Sequence, residues 1–191
     1  MKYLNNKLSI KAISAFCVLL LYLVPSFSDE LEERRIKISL AIFPKIVAVD
    51  QDLESKLTRD NNVKFLFVYD NNKSKAEALS ELLRDKVTNI AGKPVRIVVM
   101  NVRDVSLIFT DRSAAIFITE RLDKTQFDKI VRVGVSEQII VFSPYAGDVE
   151  RGATVGVAIG NRVRPYFNID TLNTSKVNIL KKLLKVSKHY E

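Results

Sequence analysis

The chain has 191 residues, 47% of them hydrophobic, and carries 30 lysines and arginines against 22 acids, a net charge of +8. A single cysteine (Cys17) and a single histidine (His189) exclude a disulfide framework, a Cys-His nucleophile pair and a zinc site of the usual His/Cys kind. The length suits one domain with a sizeable core.

Lys2, Lys7 and Lys11 open the chain with no acid before Asp29, and the apolar stretch "AISAFCVLLLYLV" follows. "PSFS" then sets Ser26 and Ser28 at the −3 and −1 positions of a cut before Asp29. Residues 1–28 read as a cleaved signal peptide and residues 29–191 as the exported domain. The competing reading is a membrane anchor. The apolar stretch from Ala12 to Val24 is 13 residues, where a span needs about 20, and Pro25 interrupts it. Lipidation at Cys17 is disfavoured by the bulky Phe16 before it. Cleavage removes three lysines and the only cysteine and leaves a net charge of +5. That excess favours solubility and some attraction to acidic surfaces, and falls short of a nucleic-acid footprint. No stable membrane insertion is expected after cleavage.

In the domain, "LEERRIKISLAIFPKIVAV" (31–49) predicts a helix with Leu31, Ile38, Ile42 and Val49 near one stripe, kinked or ended at Pro44. A polar, acidic connection runs from Asp50 to Asn62. Its "DQDLE" faintly resembles a calcium loop, but Ser55 and Asn61 stand where glycine and glutamate are needed. "VKFLFVY" (63–69) predicts a strand covered on both faces, and "KAEALSELLRDKV" a helix. "VRIVVMNV" (95–102) and "AAIFITE" (114–120) predict strands, "DKTQFDKIVRVGVSE" (123–137) a helix and "QIIVFSP" (138–144) a fourth strand. This alternation predicts an α/β fold, a single domain with a largely parallel sheet flanked by helices.

"RGATVGVAIGNRVRPYFNI" lacks the lysine-hydroxyl pair of a phosphate loop and the spacing of a dinucleotide fingerprint. It predicts an antiparallel hairpin turning at Gly160-Asn161 with positive φ. Gly156 marks a bulge or a close backbone approach. By parity, Val163 and Phe167 face one side and Arg162, Arg164, Tyr166 and Asn168 the other, with Pro165 placing the arm at a sheet edge. Arg162, Arg164, Tyr166 and Asn168, with Arg151 just before the hairpin, are candidate partner-binding residues. The plainer reading is an edge protected from aggregation by charge and proline. "SKVNILKKLLKVSKHYE" predicts a terminal amphipathic helix, with Val177, Leu180, Leu183 and Leu184 inward and lysines outward.

Catalytic machinery is scarce. His189 is the third residue from the end of the sequence, a poor place for a base. A hydrolase using Asp148 and Glu150 would lack a histidine or metal partner. Acids after the first strand resemble those of a receiver domain, with Glu120 and Ser143 in further roles, yet no lysine-proline pair follows the fifth strand. In open α/β sheets ligands sit beyond the carboxyl ends of the strands. Those ends offer a candidate small-anion site from Asp70, Asn72, Arg121, Asp148 and Arg151, or else ordinary polar loops with local ion pairs. No cofactor and no metal are expected.

The order of elements resembles the YfiR/HmsC-like family of exported bacterial proteins. The likeness rests on the signal peptide, the helix segment "AIFPKIVAV", the strand-helix half-domain and above all the hairpin. Asn168 stands at the family's characteristic asparagine, followed by the helix "ILKKLLKVSK". The family's cysteines, its aromatic-proline element after the first helix and its paired glycine before the hairpin are absent. The resemblance implies a non-catalytic periplasmic regulator bound to the envelope-facing part of a membrane signalling protein. That partner would be a diguanylate cyclase, in cyclic-di-GMP signalling, or a sensor kinase, and a homodimer is compatible with it. The runner-up is a periplasmic solute-binding module feeding a membrane sensor.

Overall fold

The structure, a computed structural model, describes residues 29–105 and 111–191. The predicted signal peptide, residues 1–28, lies outside the described residues. The chain divides into two compact units, Met1–Arg34 and Arg35–Glu191. Of the first, residues 29–34 are described and are helical; everything below concerns the second.

The continuous apolar run Val63–Tyr69 forms β1, buried along nearly its whole length. It pairs in parallel with β3 (Lys93–Asn101) on one side and β4 (Ala115–Ile118) on the other. β5 (Ile140–Phe142) adds in parallel to β4, and β6 (Val155–Ile159) to β5. β6 turns back antiparallel into β7 (Val163–Asn168), and β2 (Asn89–Ile90) caps the far edge against β3. β8 (Lys188–Tyr190) lies beside β7, and the eight-stranded order is β2-β3-β1-β4-β5-β6-β7-β8, an α/β sheet of mostly parallel strands as expected.

Helices follow from capping and periodicity. α2 (Lys73–Arg84) starts at Asn72, whose side chain accepts from the Lys75 N–H, and α3 (Lys124–Ser136) at Asp123, which accepts from Gln126. α1 (residues 35–47) runs three residues past Pro44. A helix-interior proline forfeits one donor, and here the cost is offset by the burial of Phe43, Ile46 and Val47.

The register places Phe67, Phe117 and Phe142 side by side on β1, β4 and β5. Their rings stack at 5.1 and 5.5 Å, and Phe43 of α1 sits edge-on to Phe117 and Phe142 at 5.2 and 5.5 Å. Alternate residues point the other way, where a Cβ on Gly134 of α3 would strike Val141. The core is therefore two-sided, with α1 over the phenylalanine face and α3 over the opposite one.

Three expectations change. The polar connection after α1 contains a 3-10 turn, Leu53–Lys56, and Asp50 is bound in a buried ion pair with Lys56. The hairpin reverses over three residues, Gly160 to Arg162, and neither Gly160 nor Asn161 has positive φ. A three-residue connection spreads the reversal and escapes the mirror-image turn that a two-residue loop demands. The C-terminal stretch is helical only at α4 (Ile169–Ser175) and at the single turn α5 (Lys181–Leu184). It ends as β8 (Lys188–Tyr190), parallel to β7. Lys176, at φ 55°, stops α4, and Val177 and Ile179 are then buried in extended chain bridged to Asp50. Burial at alternate residues, two apart, overrides the helical stripe.

Candidate functional site: the strand ends and the hairpin edge

Connections leave β1 toward β3 and β4 toward β5, in opposite directions, so the crevice between the carboxyl ends of β1 and β4 is a topological switch point. Three successive backbone N–H groups converge there, those of Asp70, Asn71 and Asn72. All three donate to Oε1 of Glu120, at 2.6, 2.8 and 2.9 Å. Such a nest at a helix start binds anions, and here the chain supplies its own carboxylate. Asn72 is further committed to capping α2. The Asp70 carbonyl accepts from Asn101 and its carboxylate from Asn71.

A second network follows β5. The Tyr145 hydroxyl donates to the Thr119 carbonyl at 2.6 Å, and its backbone N–H donates to Ser143 Oγ at 3.2 Å. Ser143 Oγ in turn donates to Asp148 at 2.6 Å, and Arg151 donates to the other carboxylate oxygen at 3.0 Å. Asp148 is only 3% exposed. Burial pushes its carboxyl above the usual range, against the Ser143 hydrogen bond and the Arg151 charge, which pull it down. The Arg121 guanidinium lies 5.1 Å from the Tyr145 ring, and that of Arg151 lies 4.2 Å from the Phe127 ring. Of the small-anion candidates, Asp70 and Asn72 meet at the switch point, while Asp148 and Arg151 bind each other. Their polar groups are largely engaged within the protein.

At the hairpin, Arg162 and Arg164 are exposed as expected. Tyr166 and Asn168 are not: they are 7% and 5% exposed, while Val163, expected inward, is 43% exposed. Parity fails because β8 and the 145–150 loop enclose the inner half of β7, and its outer half projects free of both. Tyr166 lies under Lys188, whose ammonium is 4.4 Å from the ring centre. Burial, then the Glu150 carboxylate and its hydrogen bond, raise the Tyr166 hydroxyl pKa. Asn168 accepts from Thr171 to cap α4 and donates to the Val149 carbonyl, both at 2.8 Å. Both bonds hold Asn168 within the fold. The edge expectation holds for the outer half of β7: residue alternation puts the missing Pro165 donor on the β8 side, and β8 pairing begins only at Tyr166.

The residues that sequence reasoning passed over are Ile159, opposite Val163 in the hairpin register, and Lys188. Ile159 is 45% exposed. The signal was the apolar pair flanking "GNR", hidden by its fit to the β-pattern. Arg35 was missed too; its Nε donates to the Pro144 carbonyl at 2.6 Å and its Nη2 to that of Val157, tying α1 to the base of the hairpin.

Among the described residues no helix is long and apolar enough to cross a membrane, and no His/Cys/Asp/Glu group could hold a metal ion. A family profile described as YfiR/HmsC-like matches residues 45–188. No curated protein matches the chain. Among solved structures, it is similar to the ligand-free, open form of a substrate binding protein with adhesive properties from Clostridium difficile. That match has 12% identity and a TM-score of 0.52, over 68% of this chain and 54% of the other. A conserved domain protein from Vibrio cholerae matches at 14% identity and TM-score 0.50, over 72% and 57%. A domain from Streptococcus pneumonia, solved in complex with L-Trp, matches at 13% and 0.47, over 75% and 61%. The chain thus spans little more than half the length of these proteins. At such identities the likeness to the Clostridium difficile and Vibrio cholerae proteins bears on the α/β fold alone.

Proposed function

The chain belongs to the YfiR/HmsC-like family, and from that premise we propose a non-catalytic regulator of the periplasm. It docks on the envelope-facing part of an inner-membrane signalling protein, a diguanylate cyclase by family resemblance. The observation that carries the docking reading is the hairpin tip. Ile159 and Val163 stand opposite each other, both exposed, beside Arg162, Arg164 and Lys188. Exposed apolar side chains on one face of the tip, with cations on the other, suit a partner that grips the tip and sets acidic groups against the arginines.

Regulation then follows from unequal affinity. A domain that binds one conformation of its partner more tightly shifts the population toward it, and a swing from 1:99 to 99:1 requires a preference of about 10⁴-fold. The test is a photo-crosslinking residue at Val163 in intact cells, paired with cellular cyclic-di-GMP measured for Arg162→Glu/Arg164→Glu. Capture of a membrane-bound cyclase, lost in the double variant together with control of the dinucleotide level, is expected. Undiminished control by the double variant would overturn the reading.

A further inference from the structure

On the phenylalanine side of the sheet, α1 and the segment from Leu83 to Ala91 enclose a groove of about 600 Å³. Its floor is apolar, from the buried side chains of Leu40, Leu83 and Ile90. Small residues, Ala41, Pro44 and Ala48, keep the α1 wall low and leave the floor open. Lys45 and Lys86 rise exposed on opposite walls, and Lys37 lines the groove further along α1. Among the described residues no carboxylate lines it; Glu81 and Asp85, in and just after α2, stand outside. The α1 wall from Lys37 to Ala48 runs roughly 16 Å at about 1.5 Å per residue.

We propose that this groove is a second docking site, separate from the hairpin, occupied by a short amphipathic helix of a partner protein with acidic residues flanking its apolar stripe. The dimensions match about three turns of helix. An apolar floor with charged walls is how a groove receives an amphipathic helix. The spread of charge selects this occupant over a single-headed amphiphile. Lys45 and Lys86 stand exposed on opposite walls of the groove. One carboxylate head would answer one of that pair; acids distributed along a helix answer both.

The experiment uses the exported domain and a fluorescent, helix-forming peptide with leucines at i, i+3, i+4 and i+7 and glutamates flanking them. A peptide with lysines for the glutamates is the control, and laurate the competitor. Saturable binding of the acidic peptide is expected, weakened by salt and about tenfold weaker in Lys45→Glu/Lys86→Glu. Ala48→Trp, which fills the trough, should also weaken it, whereas Arg162→Glu/Arg164→Glu should leave it unchanged and so separates this site from the hairpin. Absence of saturable binding, or equal affinity for the lysine peptide or the double variant, overturns the proposal. Displacement by equimolar laurate would assign the groove to a lipid-like amphiphile. A concentration-dependent dimer abolished by Lys45→Glu/Lys86→Glu would assign it to a second copy of the chain. Either result also overturns it.

Discussion

Lys64 interrupts the apolar run of β1 and is nevertheless buried. Its ammonium donates to the Asp111 carbonyl at 2.6 Å and to the Asp111 carboxylate at 2.8 Å. That hydrogen bond, with the Lys64 charge, holds the Asp111 carboxyl below its usual range despite some desolvation. A depressed carboxyl pKa adds stability above the unfolded value and loses it as pH falls through the folded one. Asp111→Asn should therefore lower the unfolding free energy at neutral pH by about 1 kcal/mol, discounted because Asp111 is part-exposed, and with it the urea midpoint. The gap to the wild type should close in acid as the wild-type carboxyl takes up its proton. Asp148 has the opposite sign: its raised carboxyl favours the fold most at low pH, and that contribution fades as pH rises through the folded value. Gly156 shows a constraint that composition conceals. A Cβ there would lie 2.7 Å from the Ser143 carbonyl and 2.8 Å from Val149, while at Gly160 nothing lies within 4 Å. Gly156→Ala should cost about 1–3 kcal/mol in chemical denaturation, and Gly160→Ala within about 0.5 kcal/mol. The close approach at Gly156 was legible from a glycine inside a strand pattern; the contacts it meets were not.

Among the elements, the C-terminal segment departs furthest from its periodicity. Val177, Leu180, Leu183 and Leu184 are spaced for a helix, yet Val177 and Ile179 are the residues buried, and Leu180 is exposed. The backbone bonds of Gln51 to Asn178 and of Leu180 to Val49 draw this stretch alongside the end of α1. Chain then remains to reach β7 and cover Tyr166 to Asn168 as β8. Removing residues 188–191 should expose this half of β7 as an unpaired edge. We expect a lower melting temperature and concentration-dependent association by light scattering, the ordinary behaviour of an open apolar edge. Unchanged melting and a monomeric truncation would show that β8 contributes little. The strands read from continuous apolar runs (63–69, 95–102, 114–120 and 138–144) all lie where they were expected; β1 keeps its bounds, β3 starts two residues earlier at Lys93, and β4 and β5 are shorter at both ends. Buried runs are long-lived signals because both faces of the strand need apolar cover.

At the scale of the whole molecule, one ring ties helix to sheet. Phe43 touches Phe65, Phe67, Phe117 and Phe142, residues from three adjacent strands. Phe43→Ala should cost about 3–5 kcal/mol and shift a single cooperative transition, with far-UV and near-UV signals lost together. Early loss of helix signal alone would mean that α1 is an independent unit. The two proposed docking regions sit at different ends of this cooperative body. The groove includes β2, the strand at one edge of the sheet, and the hairpin lies near the other edge. Both present lysine or arginine beside apolar surface, and acid-rich partners are favoured at each.

Sequence by itself determined the α/β class and the main strands and helices, because hydrophobic period acts over a few residues of one chain segment. It also determined that thiol and imidazole chemistry would be confined to Cys17 and His189. The tertiary structure alone decided that Glu120 fills the nest at the switch point. It alone turned Tyr166 and Asn168 inward and left Ile159 and Val163 outside, and it alone made the last residues a strand. Each of those outcomes depends on which distant segment covers a given face, and burial imposed from across the sheet outweighs the preference written in neighbouring residues.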